Sequence, residues 1–206
     1  MKIQSELLRD LALRANPEVS RRFDRRKLEQ GLAKLLDYST AFRRPLLSVS
    51  LVGSKGKGSS AFFLEYLCRQ AGLKTGLFTS PHLVDFRERI RINAEPAPLS
   101  LLEEAYEKMD KGALAQASYF ELLTVLGLYL FQNVDIMILE AGLGGRFDAT
   151  RCGRCEHVIL TGIELEHTEI LGRTEAEIIR EKLAISGPWS RSLYVYSSVS
   201  AELVAK

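Results

Sequence analysis

A glycine- and lysine-rich stretch at residues 53–60 separates a segment of alternating apolar residues from a segment with helical apolar spacing. Residues 47–52 show the period-two alternation of a strand, and residues 61–71 show an apolar face at helical spacing. Glycines let several backbone N–H groups point into one concavity, and a helix that begins near Ser59 adds its positive end. The pattern therefore predicts an anion-binding loop between a strand and a helix.

The loop offers the groups that bind phosphate. Lys57 is expected to contact terminal phosphate oxygens, and Ser59 or Ser60 to offer a hydroxyl to phosphate or to its magnesium. Gly58 separates Lys57 from Ser59, so the spacing departs from G-x-x-x-x-G-K-[ST], and a glycine-rich turn with solvated lysines stays open as the alternative. The residues expected to line the phosphate site are Gly53, Ser54, Lys55, Gly56, Lys57, Gly58, Ser59 and Ser60.

The surrounding elements predict an α/β fold with a mostly parallel sheet and flanking helices. A helix that ends at Gly72 and a short strand at 75–79 complete a βαβ unit, which makes the sheet parallel. The apolar run at 135–140 is typical of a central strand buried on both faces. Further strands are predicted at 157–161 and 193–196, and helices at 5–14, from a cap at Asp24 to Leu36, and at 101–109, 118–131, 174–185 and 201–206.

Two charged side chains follow predicted strands directly. Glu140 ends the buried strand, and a carboxylate there is expected to bind magnesium or to orient a water molecule. The alternative is an ion pair with a nearby arginine such as Arg146. His167 lies in a polar loop after the next strand and is a candidate metal or phosphate contact.

Lys182 falls inside the apolar stripe of the helix predicted at 174–185. Such a lysine either extends to solvent or is held in place for chemistry. Burial lowers the pKa of a lysine from about 10.4 and raises its neutral fraction, which is the form that reacts with carbon dioxide to give a carbamate. Both interpretations stay open on the sequence.

Composition limits the class of protein. The net charge of +2 gives no general affinity for nucleic acid or membrane. The basic run at 21–27 is interpreted as the solvated face of a helix, because no aromatic residues interleave with it as a nucleic-acid patch would require. No apolar run of about eighteen residues and no signal peptide are found, and we expect a cytoplasmic protein. Cys152 and Cys155 are interpreted as loop thiols rather than as a metal or redox pair, since no second C-x-x-C exists.

Seven short motifs carry a family resemblance. They are G-S-K-G-K-G-S (53–59), T-S-P-H-L (79–83), F-R-E-R-I-R-I-N (86–93), F-E-L-L-T (120–124), L-E-A-G-L-G-G-R-F-D-A-T (139–150), E-H-T-E-I-L-G (166–172) and E-K-L-A-I (181–185). From about Leu28 onward the chain resembles folylpolyglutamate synthase, also called dihydrofolate synthase, of the Mur ligase superfamily. That family activates a folate or dihydropteroate carboxylate with ATP as an acyl phosphate, which the amine of L-glutamate then attacks.

The resemblance implies ATP and Mg²⁺ as cofactors, and small molecules, rather than nucleic acid or membrane, as partners. It makes residues 53–59 the ATP phosphate loop and places the pterin-bearing substrate beside Ser80, Pro81, His82 and Arg89. It also makes Lys57, Glu140, His167 and Lys182 the catalytic residues, with magnesium held by Ser80, Glu140, His167 and a carbamylated Lys182.

The chain departs from the family in three places. Ser54 and Lys55 stand where the family has Thr-Asn, which is expected to add a positive charge inside the anion site. Glu166 stands for an Asp, and Leu183-Ala184 for Ala-Gly.

The chain is also shorter than the family. We expect one incomplete ATP-binding domain over residues 1–206, with a helical segment at 1–44 and without the C-terminal glutamate-binding domain. Self-association or a separately supplied C-terminal half is therefore expected. Two other functions stay open, a non-catalytic nucleotide- or folate-binding remnant and a P-loop kinase or ATPase.

Overall fold

The computed structural model describes residues 5–16, 25–200 and 204. The predicted helix cap at Asp24, the basic residues Arg21 and Arg22, and all of the predicted last helix except Val204 lie outside the described residues. Everything below concerns the described part of the chain.

The predicted mostly parallel sheet is confirmed. Over the described residues it contains seven strands in the order β4-β3-β2-β5-β1-β6-β7, in which β3 pairs antiparallel with both β2 and β4 and all other neighbours pair in parallel. The interior strand β1 lies between β5 and β6 and is parallel to both, so the segments that follow these three strands meet at one edge of the sheet. The strands are β1 Leu47–Val52, β2 Thr75–Phe78, β3 Ile90–Ile92, β4 Glu95–Pro96, β5 Ile136–Glu140, β6 His157–Leu160 and β7 Ser192–Val195.

The helices flank this sheet. Three of them, α1, α5 and α7, begin at a Ser or Thr side chain that accepts a backbone N–H of the first turn, and in α5 and α7 a glutamate completes a capping box. The helices are α1 Glu6–Leu13, α2 Arg25–Tyr38, α3 Lys57–Gln70, α4 Leu99–Glu107, α5 Tyr119–Leu130, α6 Thr168–Leu171 and α7 Glu175–Leu183.

Most predicted elements are present with ends shifted by one or two residues, and two differences concern the region of the site. Helix α3 begins at Lys57 rather than near Ser59, because Gly56 takes a left-handed conformation (φ 79°) and turns the chain into the helix at once. The polar segment after β2 contains the hairpin of β3 and β4, which was not predicted; its turn uses left-handed Asn93 and Ala94. The predicted end of α3 is confirmed, since Gly72 follows it with φ 81°.

Helix α3 covers one face of the sheet and leaves most of its own apolar surface exposed. Ala61 is buried against the apolar side chains of β1, β2 and β5, and Leu64 and Cys68 pack beside it. The side chains of Phe63 and Leu67 are 71% and 62% exposed. The apolar residues at 61–71 therefore do not form a single buried face, as helical spacing alone predicts.

Candidate phosphate and metal site

The glycine loop joins β1 to α3 at the centre of the sheet edge. Gly53 fits only as glycine, because a Cβ there would lie 1.9 Å from Thr161 Oγ1. The first turn of α3 directs the N–H groups of Lys57, Gly58 and Ser59 away from the helix, while the N–H of Ser60 already donates to Gly56 O at 2.9 Å. The structure thus has the strand, glycine loop and helix start that the sequence pattern predicts, and anion binding by them stays a prediction.

The first half of the loop is held by the segment after β6. The N–H groups of Ser54 and Lys55 donate to Gly162 O at 2.8 and 3.3 Å, and the Ser54 hydroxyl bonds the backbone of Glu164. The Lys55 ammonium pairs with the Glu164 carboxylate at 2.5 Å and its side chain is 69% exposed. The expectation that Lys55 adds a charge inside the anion site is therefore wrong. At the start of α3, the N–H of Gly58 faces the Glu140 carboxylate, which leaves the amides of Lys57 and Ser59 as the candidates for an anion.

Two lysines converge on one backbone carbonyl. Lys57 Nζ and Lys182 Nζ donate to Gly53 O at 2.9 and 2.8 Å. Lys57 comes from the loop itself, whereas Lys182 reaches it from α7, 129 residues along the chain from Gly53. The loop is thereby joined to α7 through a single carbonyl oxygen.

Lys182 is held in place rather than extended to solvent, since only 2% of it is exposed. Its ammonium pairs with Glu166 Oε1 at 2.8 Å. Burial lowers the pKa of Lys182, and the Glu166 carboxylate opposes that shift. For Glu166, burial acts to raise the pKa, but the hydrogen bond and charge of Lys182 outweigh it and leave the pKa lowered. An ammonium group has no lone pair for a metal, so metal binding by Lys182 requires the carbamate, which stays a prediction.

Glu140 faces the loop, and no arginine in the described part of the chain pairs with it. Its carboxylate is 6% exposed and accepts the N–H of Ser80 at 3.1 Å. Gly58 leaves room for it, because a Cβ there would lie 3.3 Å from Glu140 Oε1. Burial raises the pKa of Glu140, against the N–H of Ser80 and the charge of Lys57.

The alternative explanation of Glu140, an ion pair with Arg146, is wrong. Arg146 Nε pairs with Glu181 Oε2 at 2.9 Å instead. The Glu140 carboxylate therefore stays buried beside the glycine loop. Carboxylate oxygens are the ligands that a hard cation such as Mg²⁺ prefers.

Asp148 organises the loop that follows Glu140, a role that sequence reasoning missed. The carboxylate accepts the N–H groups of Gly142, Leu143 and Thr150 at 2.8 to 3.0 Å, as well as the Thr150 hydroxyl. Burial raises its pKa, and these hydrogen bonds oppose the shift. The motif around it suggested a site but gave no sign that this side chain turns back onto its own loop.

The segment after β2 brings Ser80, Pro81, His82 and Arg89 to the same edge. The Ser80–Pro81 peptide bond is cis, and Ser80 N contacts Glu140 as described. Arg89 Nε donates to His82 Nδ1 at 2.8 Å, and Arg89 is 2% exposed. The structure therefore places the residues predicted to bind the substrate next to Glu140, which is predicted to bind the metal.

His167 directly follows Glu166, the ion-pair partner of Lys182. It is exposed, has a left-handed backbone (φ 44°) and precedes α6. In the described part of the chain, no hydrogen bond or ion pair joins its side chain to Glu140 or Ser80, and no group of three His, Cys, Asp or Glu side chains is arranged to hold a metal. Its predicted role remains a prediction.

The thiols of Cys152 and Cys155 are free and buried. Burial raises the pKa of each to about 12, which disfavours the thiolate that metal binding or redox chemistry uses.

Among the described residues, no helix is long and apolar enough to cross a membrane.

The fold and the loop define a class of protein. A mostly parallel sheet in which an interior strand runs through a glycine-lysine loop into a helix, with an acidic strand end beside it, is the arrangement typical of phosphate-binding α/β domains. No family model matches the chain. Individual relatives and solved structures do match it, and they specify this class further.

The relatives are folate enzymes. A probable bifunctional folylpolyglutamate synthase/dihydropteroate synthase of Halobacterium salinarum is 39% identical over 67% of this chain. A folylpolyglutamate synthase/dihydrofolate synthase of Yersinia pestis, solved with AMPPNP and Mn ion, covers 97% of the chain at 28% identity and a TM-score of 0.77. A complex of FPGS with AMPPCP and folate also covers 97%, at 26% identity and a TM-score of 0.80.

The chain belongs to the folylpolyglutamate synthase/dihydrofolate synthase family, and it matches a part of its members. It spans 18% of the Halobacterium protein and about half of the two solved chains, 48% and 50%.

Proposed function

We propose that this chain carries the ATP-binding part of a ligase that joins a folate or dihydropteroate carboxylate to the amine of L-glutamate. The observation that carries the proposal is the position of Glu140, a buried carboxylate that pairs with no arginine of the described residues and borders the first turn of the helix after the glycine loop. The named complexes of the relatives, with ATP analogues, Mn ion and folate, support the same chemistry. Residues 1–206 would form one incomplete ATP-binding domain, with a helical segment at 1–44.

The chain's own groups account for nucleotide binding. The N–H groups of Lys57 and Ser59 at the start of α3 would hold the phosphates, and Lys57 would move its ammonium from Gly53 O to contact the terminal phosphate. The γ-phosphoryl group moves to the substrate carboxylate and ADP leaves. The glutamate nitrogen then attacks the acyl carbon, the C–O bond to phosphate breaks, and the amine loses a proton. Positioning and charge neutralisation supply the catalysis.

Glu140 and Ser80 would hold Mg²⁺, with His167 and a carbamate on Lys182 as the remaining proposed ligands. When bound, the ion neutralises charge that develops on the transferring phosphoryl group. Glu140 must be deprotonated for this role, and its raised pKa means that protons compete with the cation at lower pH.

The substrate acid would bind beside Pro81, His82 and Arg89, at the edge of the sheet where Glu140 lies.

A cytoplasmic location, and self-association or a complementing C-terminal half, belong to the proposal as well. Three free thiols are compatible with a reducing compartment. Light scattering of the eluted chain would detect a dimer.

ADP release by the purified chain tests the function. We expect release with Mg-ATP that requires both dihydropteroate or tetrahydrofolate and glutamate, yields a product one glutamate heavier by mass spectrometry, and is lost in Lys57→Ala. Lys55→Ala is the matched control, because Lys55 pairs with Glu164 outside the anion site. Phosphorylation without glutamate would indicate a kinase. ATP binding that depends on Lys57 without turnover would identify a binding part that needs a further segment.

A further inference from the structure

Arg89 is an immobilised arginine at the substrate side of the proposed site. It ends the 3₁₀ turn Phe86–Arg89, immediately before β3, and only 2% of it is exposed. Its guanidinium lies 5.5 Å from the centre of the Tyr119 ring at the start of α5. Stacking and burial hold the guanidinium in one orientation.

That orientation directs a hydrogen bond at one specific nitrogen of His82. Arg89 Nε lies 2.8 Å from His82 Nδ1. A guanidinium donates hydrogen bonds and cannot accept them, so Nδ1 must present its lone pair. The hydrogen of the imidazole ring is then on Nε2, because a neutral imidazole carries one N–H and one acceptor nitrogen.

The chain on either side of His82 is also fixed. On one side, the N–H of Ser80 donates to Glu140. On the other, the Glu88 carboxylate accepts the N–H groups of Leu83, Val84 and Asp85 at 2.8 to 3.0 Å. His82 therefore sits between two anchored points, one of which is the carboxylate that borders the phosphate loop.

We propose that Arg89 is a positioning residue that fixes His82 as an Nε2–H donor, and that His82 uses this hydrogen to recognise a carbonyl or carboxylate oxygen of the acid that is to be activated. This inference rests on the proposed function. It assigns His82 to recognition of the acid rather than of the nucleotide, for which the proposed phosphate contacts are Lys57 and the first turn of α3.

The first test reads the tautomer directly and needs no activity. The chain has three histidines, so long-range ¹H–¹⁵N spectra of ¹⁵N-histidine protein are assignable by the signal that disappears in His82→Gln. We expect His82 to carry its hydrogen on Nε2 in the wild type and to show a mixture of tautomers in Arg89→Met. Arg87→Met is the control, because Arg87 pairs with Asp85 instead. A hydrogen on Nδ1, or on both nitrogens, in the wild type would overturn the proposal.

The second test measures recognition by calorimetric titration of dihydropteroate in the presence of an ATP analogue. Loss of one hydrogen bond in His82→Leu is expected to weaken dihydropteroate binding about tenfold. His82→Gln keeps an N–H near the Nε2 position and should bind within about threefold of the wild type. Binding of the ATP analogue should be unchanged in both. Equal dihydropteroate affinity in the Leu variant, or no dihydropteroate binding by the wild type, would refute the role in recognition.

The two proposals fail in distinguishable ways. Loss of ATP-analogue binding in the wild type would contradict the proposed function while leaving the tautomer measurement intact. Because Arg89→Met removes a buried group, thermal unfolding checks that the variant is folded, and the more conservative Arg89→Lys is measured beside it. The His82 variants test recognition of the acid without altering Arg89.

Discussion

Lys57 and Lys182 donate to the same acceptor atom, the carbonyl oxygen of Gly53, at 2.9 and 2.8 Å. Their other partners differ. Lys182 is also paired with Glu166 and buried, whereas no second hydrogen bond or ion pair of the Lys57 ammonium is found in the described part of the chain. Lys57 is therefore the lysine that can leave the carbonyl for a phosphate, and Lys182 is the one that keeps the loop attached to α7.

Lys57→Ala is expected to weaken ATP binding by roughly tenfold to a hundredfold, because a charge-assisted hydrogen bond contributes about 1.5–3 kcal/mol. Lys55→Ala should change the affinity less than about threefold, since the Lys55 ammonium pairs with Glu164. Calorimetric titration with a non-hydrolysable ATP analogue measures both. Equal losses in the two variants would mean that the loop contacts phosphate through a different lysine.

Glu166→Ala should lower the free energy of unfolding by about 3 kcal/mol, because it leaves the Lys182 ammonium buried without its partner. The matched control is Glu164→Ala, which breaks the exposed pair with Lys55 and should cost less than about 1 kcal/mol. Urea denaturation at neutral pH compares the two. The difference should shrink in acid, since the folded pKa of Glu166 is lowered and its contribution is lost as pH falls through that value. Similar losses would show that Lys182 is not stabilised by this carboxylate.

Glu140→Gln is expected to stabilise the nucleotide-free chain while abolishing Mg-dependent ATP turnover. Burial raises the folded pKa of Glu140, so the folded state binds more protons than the unfolded state between the two pKa values, and stability falls as pH rises. The variant should therefore unfold at a higher temperature than the wild type at pH 8 and at a similar temperature at pH 4. A variant less stable than the wild type at pH 8 would contradict this account of Glu140.

Cys152 and Cys155 should resist alkylation in the folded chain. Both thiols are buried, and burial raises their pKa to about 12, so at pH 8 almost no thiolate is present. Mass spectrometry after iodoacetamide treatment should find modification at Cys68 alone, which is partly exposed, and at all three after denaturation. Modification of either buried cysteine in the folded state would restore the redox interpretation of the C-x-x-C motif.

Local patterns predicted the framework of the site well. The strand before the glycine loop, the helix after it and the buried strand that ends at Glu140 each depend on the spacing of nearby apolar residues and on glycine. The order of these elements then requires a parallel sheet. Those parts of the fold could be read from the sequence because the interactions that determine them lie within a few residues.

The pairings across the site could not be predicted, since they join distant segments. Glu164 binds Ser54 across 110 residues, and nothing in the sequence near either residue indicates the other. For the same reason Lys55 was expected to face the anion, and Arg146 was weighed as a partner for Glu140. In the structure, Lys55 pairs with Glu164 and Arg146 pairs with Glu181, and both carboxylates lie far from their partners in the sequence.

The hydrogen bond from Lys182 to Gly53, across 129 residues, has a consequence for how the chain is made. During synthesis, the glycine loop leaves the ribosome long before α7 does. Contacts of such high sequence separation form late in folding, because the intervening chain must first be closed into a loop. Affinity for ATP should thus be acquired only when the segment bearing Lys182 has docked, so nucleotide binding by nascent chains of increasing length would report when this docking occurs.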